Sequence, residues 1–146
     1  MGMLSDFFIA AGADAATGYE CSLLDEDEDR RKAFHAREYK GFTGLEVGRL
    51  HALLARQPFS LAEHMPEVVS SERHEGITQA LPDEFRDALA DMQAGQIKDL
   101  AAKWAAEMME EIEFDPAFLE TMLPDLRDLA QSARNAGKGL YLWTNT

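Results

Sequence analysis

The chain's 146 residues carry 27 acidic against 14 basic side chains, a net charge of −13. A surface of that sign repels phosphate and anionic headgroups, which excludes nucleic acid and charged membranes as main partners. With 46% hydrophobic and 28% charged residues, the composition is that of a globular chain, and the length predicts one domain over 1–146.

Asp6 to Ala10, DFFIA, is short, aromatic and apolar and predicts a strand. Alanine and glycine follow, then the acidic run DEDED at Asp25–Asp29 and the basic Arg30, Arg31 and Lys32. Composition assigns residues 11–33 to a loop that includes the acidic run. Phe34 to Phe42, FHAREYKGF, predicts a second strand with poor alternation. Thr43-Gly44-Leu45-Glu46 reads as a capping box: the Thr43 hydroxyl accepts from a free N–H, and Glu46 reaches back to the Thr43 amide. The helix it opens runs to about Arg56, with Leu45, Leu50, Leu53 and Leu54 inward, and Pro58 stops it. A helical turn over Ser60–Met65, a short strand at Val68 and Val69, and a loop over Ser70–Gly76 follow.

The C-terminal half reads as helical. Pro82, Asp83 and Glu84 open a helix bearing Phe85, Leu89 and Met92, and Gly95 separates it from the next. Gln96 to Glu113 places Ile97, Leu100, Ala101, Trp104, Ala105, Met108 and Ile112 on one stripe at i, i+3, i+4, i+7 spacing. Trp104 is the largest side chain in that stripe and predicts the centre of the core. Asp115-Pro116 restarts a helix with an acid cap and proline at the first position. Pro124 predicts a kink or two abutting helices. Gly137-Lys138-Gly139 ends the run, and LYLW at Leu140–Trp143 predicts a closing strand in one sheet with DFFIA. The fold class is α+β, with helices packed on a small, mainly antiparallel sheet of N-terminal, middle and C-terminal strands.

The segments SDFFIA, KGFTGLEVGRLHALL, LAAKWAAE and GKGLYLW are similar to those of a group of short bacterial hypothetical proteins. The resemblance covers most of the chain. It implies the order strand, loop, strand, helix, further helices and a last LYLW-like strand. That group has no established activity, so the resemblance assigns no catalytic residue. The acidic run at Asp25–Asp29 lies outside the shared pattern.

Metal and cofactor motifs are weak. Asp25, Asp27 and Asp29 match positions one, three and five of a calcium loop, but Arg30 and Ala36 stand where glycine and the closing acid belong. Glu107, Glu110, Glu111, Glu113 and Asp115 crowd one helix end without any Glu-x-x-His spacing. His35 with Glu38 and His64 with Glu67 stand at i, i+3 and form no known ligand spacing. His51 reads as a surface or hydrogen-bonded helix residue. Nucleotide-binding glycine patterns and the Gly-x-Ser-x-Gly elbow are absent. The single Cys21 allows no internal disulfide and fits a reducing cytoplasm. The N-terminus lacks the positive flank of a signal peptide, and no run is long enough to span a bilayer.

These features predict no cofactor and no metal. They predict a small acidic cytoplasmic interaction module of inhibitor, immunity or adaptor type. Its partner is a basic protein, met through Glu107, Glu110, Glu111, Asp25, Asp27 and Asp29. The alternatives are a small enzyme with a histidine or carboxylate site, and a structural homo-oligomer subunit.

Overall fold

A computed structural model describes residues 3–69, 76–109 and 112–145. Among these residues, seven α-helices pack on one five-stranded antiparallel sheet. In chain order the elements are β1 Leu4–Ala10, α1 Ala13–Leu24, α2 Glu28–Lys32, β2 Arg37–Lys40, α3 Gly44–Ala55, α4 Leu61–His64, β3 Glu67–Val69, β4 Ile77–Ala80, α5 Asp83–Ala90, α6 Ile97–Met108, α7 Pro116–Asn135 and β5 Gly139–Asn145. The α+β class read from the sequence is the class observed.

The strand order is β2-β1-β5-β4-β3. The first and last strands of the chain lie side by side at the middle of the sheet, paired from Leu4↔Asn145 to Ala10↔Gly139. Alternation along β1 sends Phe7 and Ile9 to one face and Asp6, Phe8 and Ala10 to the other. The first face is covered by α3, α5, α6 and α7. There Phe7, Ile9, Leu140 and Leu142 join the main core with Trp104, Leu126 and Leu129. Trp104 is fully buried, and its indole N–H donates to the Glu46 carbonyl at 2.8 Å. The second face carries a smaller aromatic core of Phe8, Tyr19, Tyr141 and Trp143, roofed by α1.

The main correction concerns residues 11–33, where the expected loop is two helices. Ala16, Tyr19, Glu20 and Leu23 recur at helical spacing; the first three are buried and Leu23 packs partly buried against that core. The apolar contribution of this stripe is small and shared with two strands, so alanine, glycine and acidic content masked it. Glu26 takes a left-handed conformation (φ 54°) to close α1, and Asp27 caps α2 by accepting from the Arg30 N–H at 3.0 Å. Elsewhere the expected elements are present with adjusted detail. Thr43 caps α3 by accepting from the Leu45 N–H, but Glu46 takes the Thr43 hydroxyl proton, not the amide. Val47, Leu50, His51 and Ala52 are among the buried positions of α3, while Leu45, Leu53 and Leu54 are half-buried. The last helix runs through Pro124 without a break. It ends where Gly137 (φ 68°) lets the Lys138 N–H reach the Ala133 carbonyl at 2.8 Å. The loop expected at Ser70–Gly76 lies almost wholly outside the described residues.

Candidate functional site

The most unusual residue of β1 is Asp6, the one charged side chain in the strand. The sheet register sets its neighbours: Glu38 of β2 on one side and Trp143 of β5 on the other. Directly opposed cross-strand residues have Cβ atoms about 4.5–5.5 Å apart, so two carboxylates and an indole share one row of the second face. Asp6 is 5% exposed. The Tyr19 hydroxyl of α1 donates to its Oδ2 at 2.7 Å. The Tyr19 ring is itself fixed by stacking on Phe8, with centroids 4.2 Å apart and planes within 12°. Trp143 is fixed by Glu20 of α1, whose Oε2 accepts from the indole N–H and whose Oε1 accepts from the Gly76 N–H, both at 3.3 Å.

Arg31 of α2 reaches over this row and pairs with Glu38 at 3.2 Å. Between α2 and the β1–β2 edge lies a cleft of about 440 Å³. Its walls combine the carboxylates of Asp6 and Glu38 and the cations of Arg31 and Lys40 with Leu4, Leu23, Tyr39 and Trp143. A second hollow of about 400 Å³ shares Leu23 and Arg31 and is bounded by Glu26, Asp27 and Glu28. The acidic run therefore lies beside the cleft that holds Asp6, with Glu26, Asp27 and Glu28 bounding the adjoining hollow.

Burial strips water from the Asp6 carboxyl and pushes its pKa up to about 6; Tyr19's hydrogen bond opposes this, Glu38 adds to it and Arg31 opposes it. The Tyr19 phenol is pushed up by the same burial and by Asp6, which keeps it a donor. Near neutrality the cleft thus holds a reluctant carboxylate beside a second one. Such a pair can accept a cation, or exchange a proton in the mildly acid range.

Of the residues singled out in the sequence, Asp25, Asp27 and Asp29 come together at the α1–α2 turn. Asp27 serves as a cap, and Asp25 lies 3.8 Å from Arg30. Glu107 stands on α6, which packs on the opposite face of the sheet, and pairs with Arg49 at 3.5 Å. Glu110 and Glu111 lie outside the described residues, as does His74. The structure does not bring Glu107 to the acidic run. His51 is buried, not superficial, and meets His64. His64 bonds Ser60 and Gln57, not Glu67. Among the described residues no group of three or more His, Cys, Asp or Glu side chains is placed to hold a metal ion, and no helix is long and apolar enough to cross a membrane. Asp6, Tyr19, Glu38 and Arg31 were not marked as a site in the sequence; the available signal was a charge on the inward phase of an aromatic strand.

No family model matches the chain, and no curated protein matches it. Among solved structures, the chain is similar to a protein of unknown function, YfbM from Escherichia coli, at 14% identity over 97% of this chain and 99% of that one, with a TM-score of 0.44.

Proposed function

We propose that this chain is a small cytoplasmic binding module whose cleft between α2 and the β1–β2 edge takes a cationic side chain from a basic protein. The observation that carries this reading is Asp6: a buried carboxylate whose direct hydrogen bond comes from the neutral Tyr19 phenol, in a cleft open to a guest. A buried charge is costly unless paired, so a guest cation gains the most beside it. Leu4, Leu23 and Trp143 suit the aliphatic stem of a lysine or arginine. The net charge of −13 and the acidic run at Asp25, Asp27 and Asp29 supply long-range attraction. Glu107, on the other side of the sheet, has no part in this contact.

Calorimetric titration with a short peptide of lysine and arginine residues tests the reading, with its charge-neutralised counterpart as control. The peptide should bind the native chain, lose affinity as salt rises, and bind Asp6→Asn and Glu38→Gln weakly. Equal binding by native chain and both variants would remove the cleft from the interaction.

A second reading, a small enzyme using Asp6 as general acid or base, is favoured by that residue's pKa near 6 in an open cleft. It predicts turnover of an ester, amide or glycoside that follows one ionisation near pH 6 and is lost in Asp6→Asn. Absence of turnover across such a panel leaves binding as the function.

A further inference from the structure

On the other side of the sheet, two buried histidines meet where α3, α4 and α5 converge. His51 of α3 is 6% exposed and His64 of α4 is 1% exposed. Their rings pack edge to face with centroids 5.0 Å apart, and His51 also stacks on Phe85 of α5 at 5.1 Å. We infer that this pair is an acid-operated latch: uptake of a proton by either imidazole releases α4 and the edge strand β3 while the rest of the fold persists.

The hydrogen bonds dictate the protonation state that holds the latch closed. Nδ1 of His64 accepts from the Ser60 N–H at 2.9 Å, and Nε2 faces the side-chain amide oxygen Oε1 of Gln57 at 3.0 Å. Only the neutral ring with its proton on Nε2 satisfies both partners. A second proton must go to Nδ1, where it meets another donor, and the Ser60 bond is lost. His51 is hydrogen-bonded to the His64 backbone, which favours a cation, but its Nδ1 is buried with no hydrogen-bond partner among the described residues, so a proton placed there has no acceptor. The charges around the pair do not favour it. His64 faces His51 from α4, and from α5 only Glu84, an exposed carboxylate, favours a cation. Arg49 of α3 lays its guanidinium 4.8 Å from the centroid of the Phe59 ring, which stacks on His64 at 6.0 Å. Burial accordingly pushes the His51 pKa down.

The segment beyond the pair is short, tied to the rest by its pairing with β4 and by Val69 against the second core. Helix α4 has four residues and β3 has three, and β3 pairs on one side only. The fit at the latch is close: a Cβ on Gly48 would lie 3.0 Å from the His64 carbonyl oxygen. Beyond α4, the Gln79 amide donates to the Pro66 carbonyl at 3.4 Å. Release of this segment opens the apolar hollow of about 380 Å³ lined by Leu45, Met65, Val68 and Ile77.

Hydrogen exchange on the full chain, read by mass spectrometry at about pH 7.5 and about pH 5 and corrected for intrinsic rates, tests the latch. Residues 57–69 should lose about tenfold or more of their protection at the lower pH, while α6 and α7 keep theirs. The double variant His51→Phe, His64→Gln removes both imidazoles and keeps an amide that can bond Gln57 or Ser60. It should show the same exchange in 57–69 at both pH values. Unchanged protection in the native chain overturns the latch, as does loss of protection throughout the molecule in one step. An unaltered pH response in a folded double variant assigns the effect to other groups and overturns it too.

Discussion

Asp6 is held in a place that favours its neutral form, and this has a defined effect on stability. Its folded pKa of about 6 exceeds the ordinary value of 3.8. The folded state therefore binds the extra proton, and the stabilisation is complete below the unfolded value and lost as pH rises through about 6. Asp6→Asn keeps the shape and an oxygen for Tyr19. It should raise stability by about 1–3 kcal/mol at pH 8 and by little near pH 4, in urea melts at the two pH values. His51 has the opposite sign. Its pKa is lowered, so its contribution is present above the unfolded value of about 6.5 and is lost as pH falls below it. Trp104→Ala should cost about 3–5 kcal/mol in chemical denaturation, since it empties the main core and leaves the Glu46 carbonyl without its donor. Trp104 was legible from helical spacing alone. Asp6 was not, because its neighbours come from β2, β5 and α1, and only long-range register places Glu38 and Trp143 beside it.

At the scale of elements, the segments that follow one strong periodicity were readable. The stripe of α6, the caps of α3 and α7, and the apolar strands β1 and β5 all stand where local pattern puts them. The two helices α1 and α2 were missed because their order comes from context: one narrow stripe over an aromatic sheet face, a left-handed Glu26 and an Asp27 cap. That closure makes a prediction. Glycine adopts the left-handed conformation without the steric cost borne by other residues, so Glu26→Gly should stabilise by about 1 kcal/mol in thermal or urea melts. The C-terminal strand makes another. With β5 between β1 and β4, deleting residues 140–146 splits the sheet in two and removes Leu140, Leu142 and Trp143 from both cores. The truncated chain should lose its cooperative thermal transition and its near-ultraviolet circular dichroism.

At the scale of the molecule, the sheet separates two regions with different chemistry. One face, under the main helical layer, carries the core and the histidine pair; the other carries the acidic helices and the Asp6 cleft. The excess of acids read from composition becomes directional only through this division, which places the Asp25–Asp29 run beside the cleft and Glu107 away from it. Charge in that run acts on encounter, so the association rate with a basic peptide should fall steeply as salt approaches physiological strength, where the Debye length is about 8 Å. The buried carboxyl acts on the bound state, and its ionisation reports directly on whether a cation sits beside it. The decisive measurement is the Asp6 carboxyl titration, followed by carbon NMR with and without saturating lysine-and-arginine peptide. The free chain should titrate near 6, and the bound chain should titrate lower by about one unit or more, since a neighbouring cation favours the carboxylate. A bound complex in which the Asp6 titration does not move would contradict a cationic guest in the cleft.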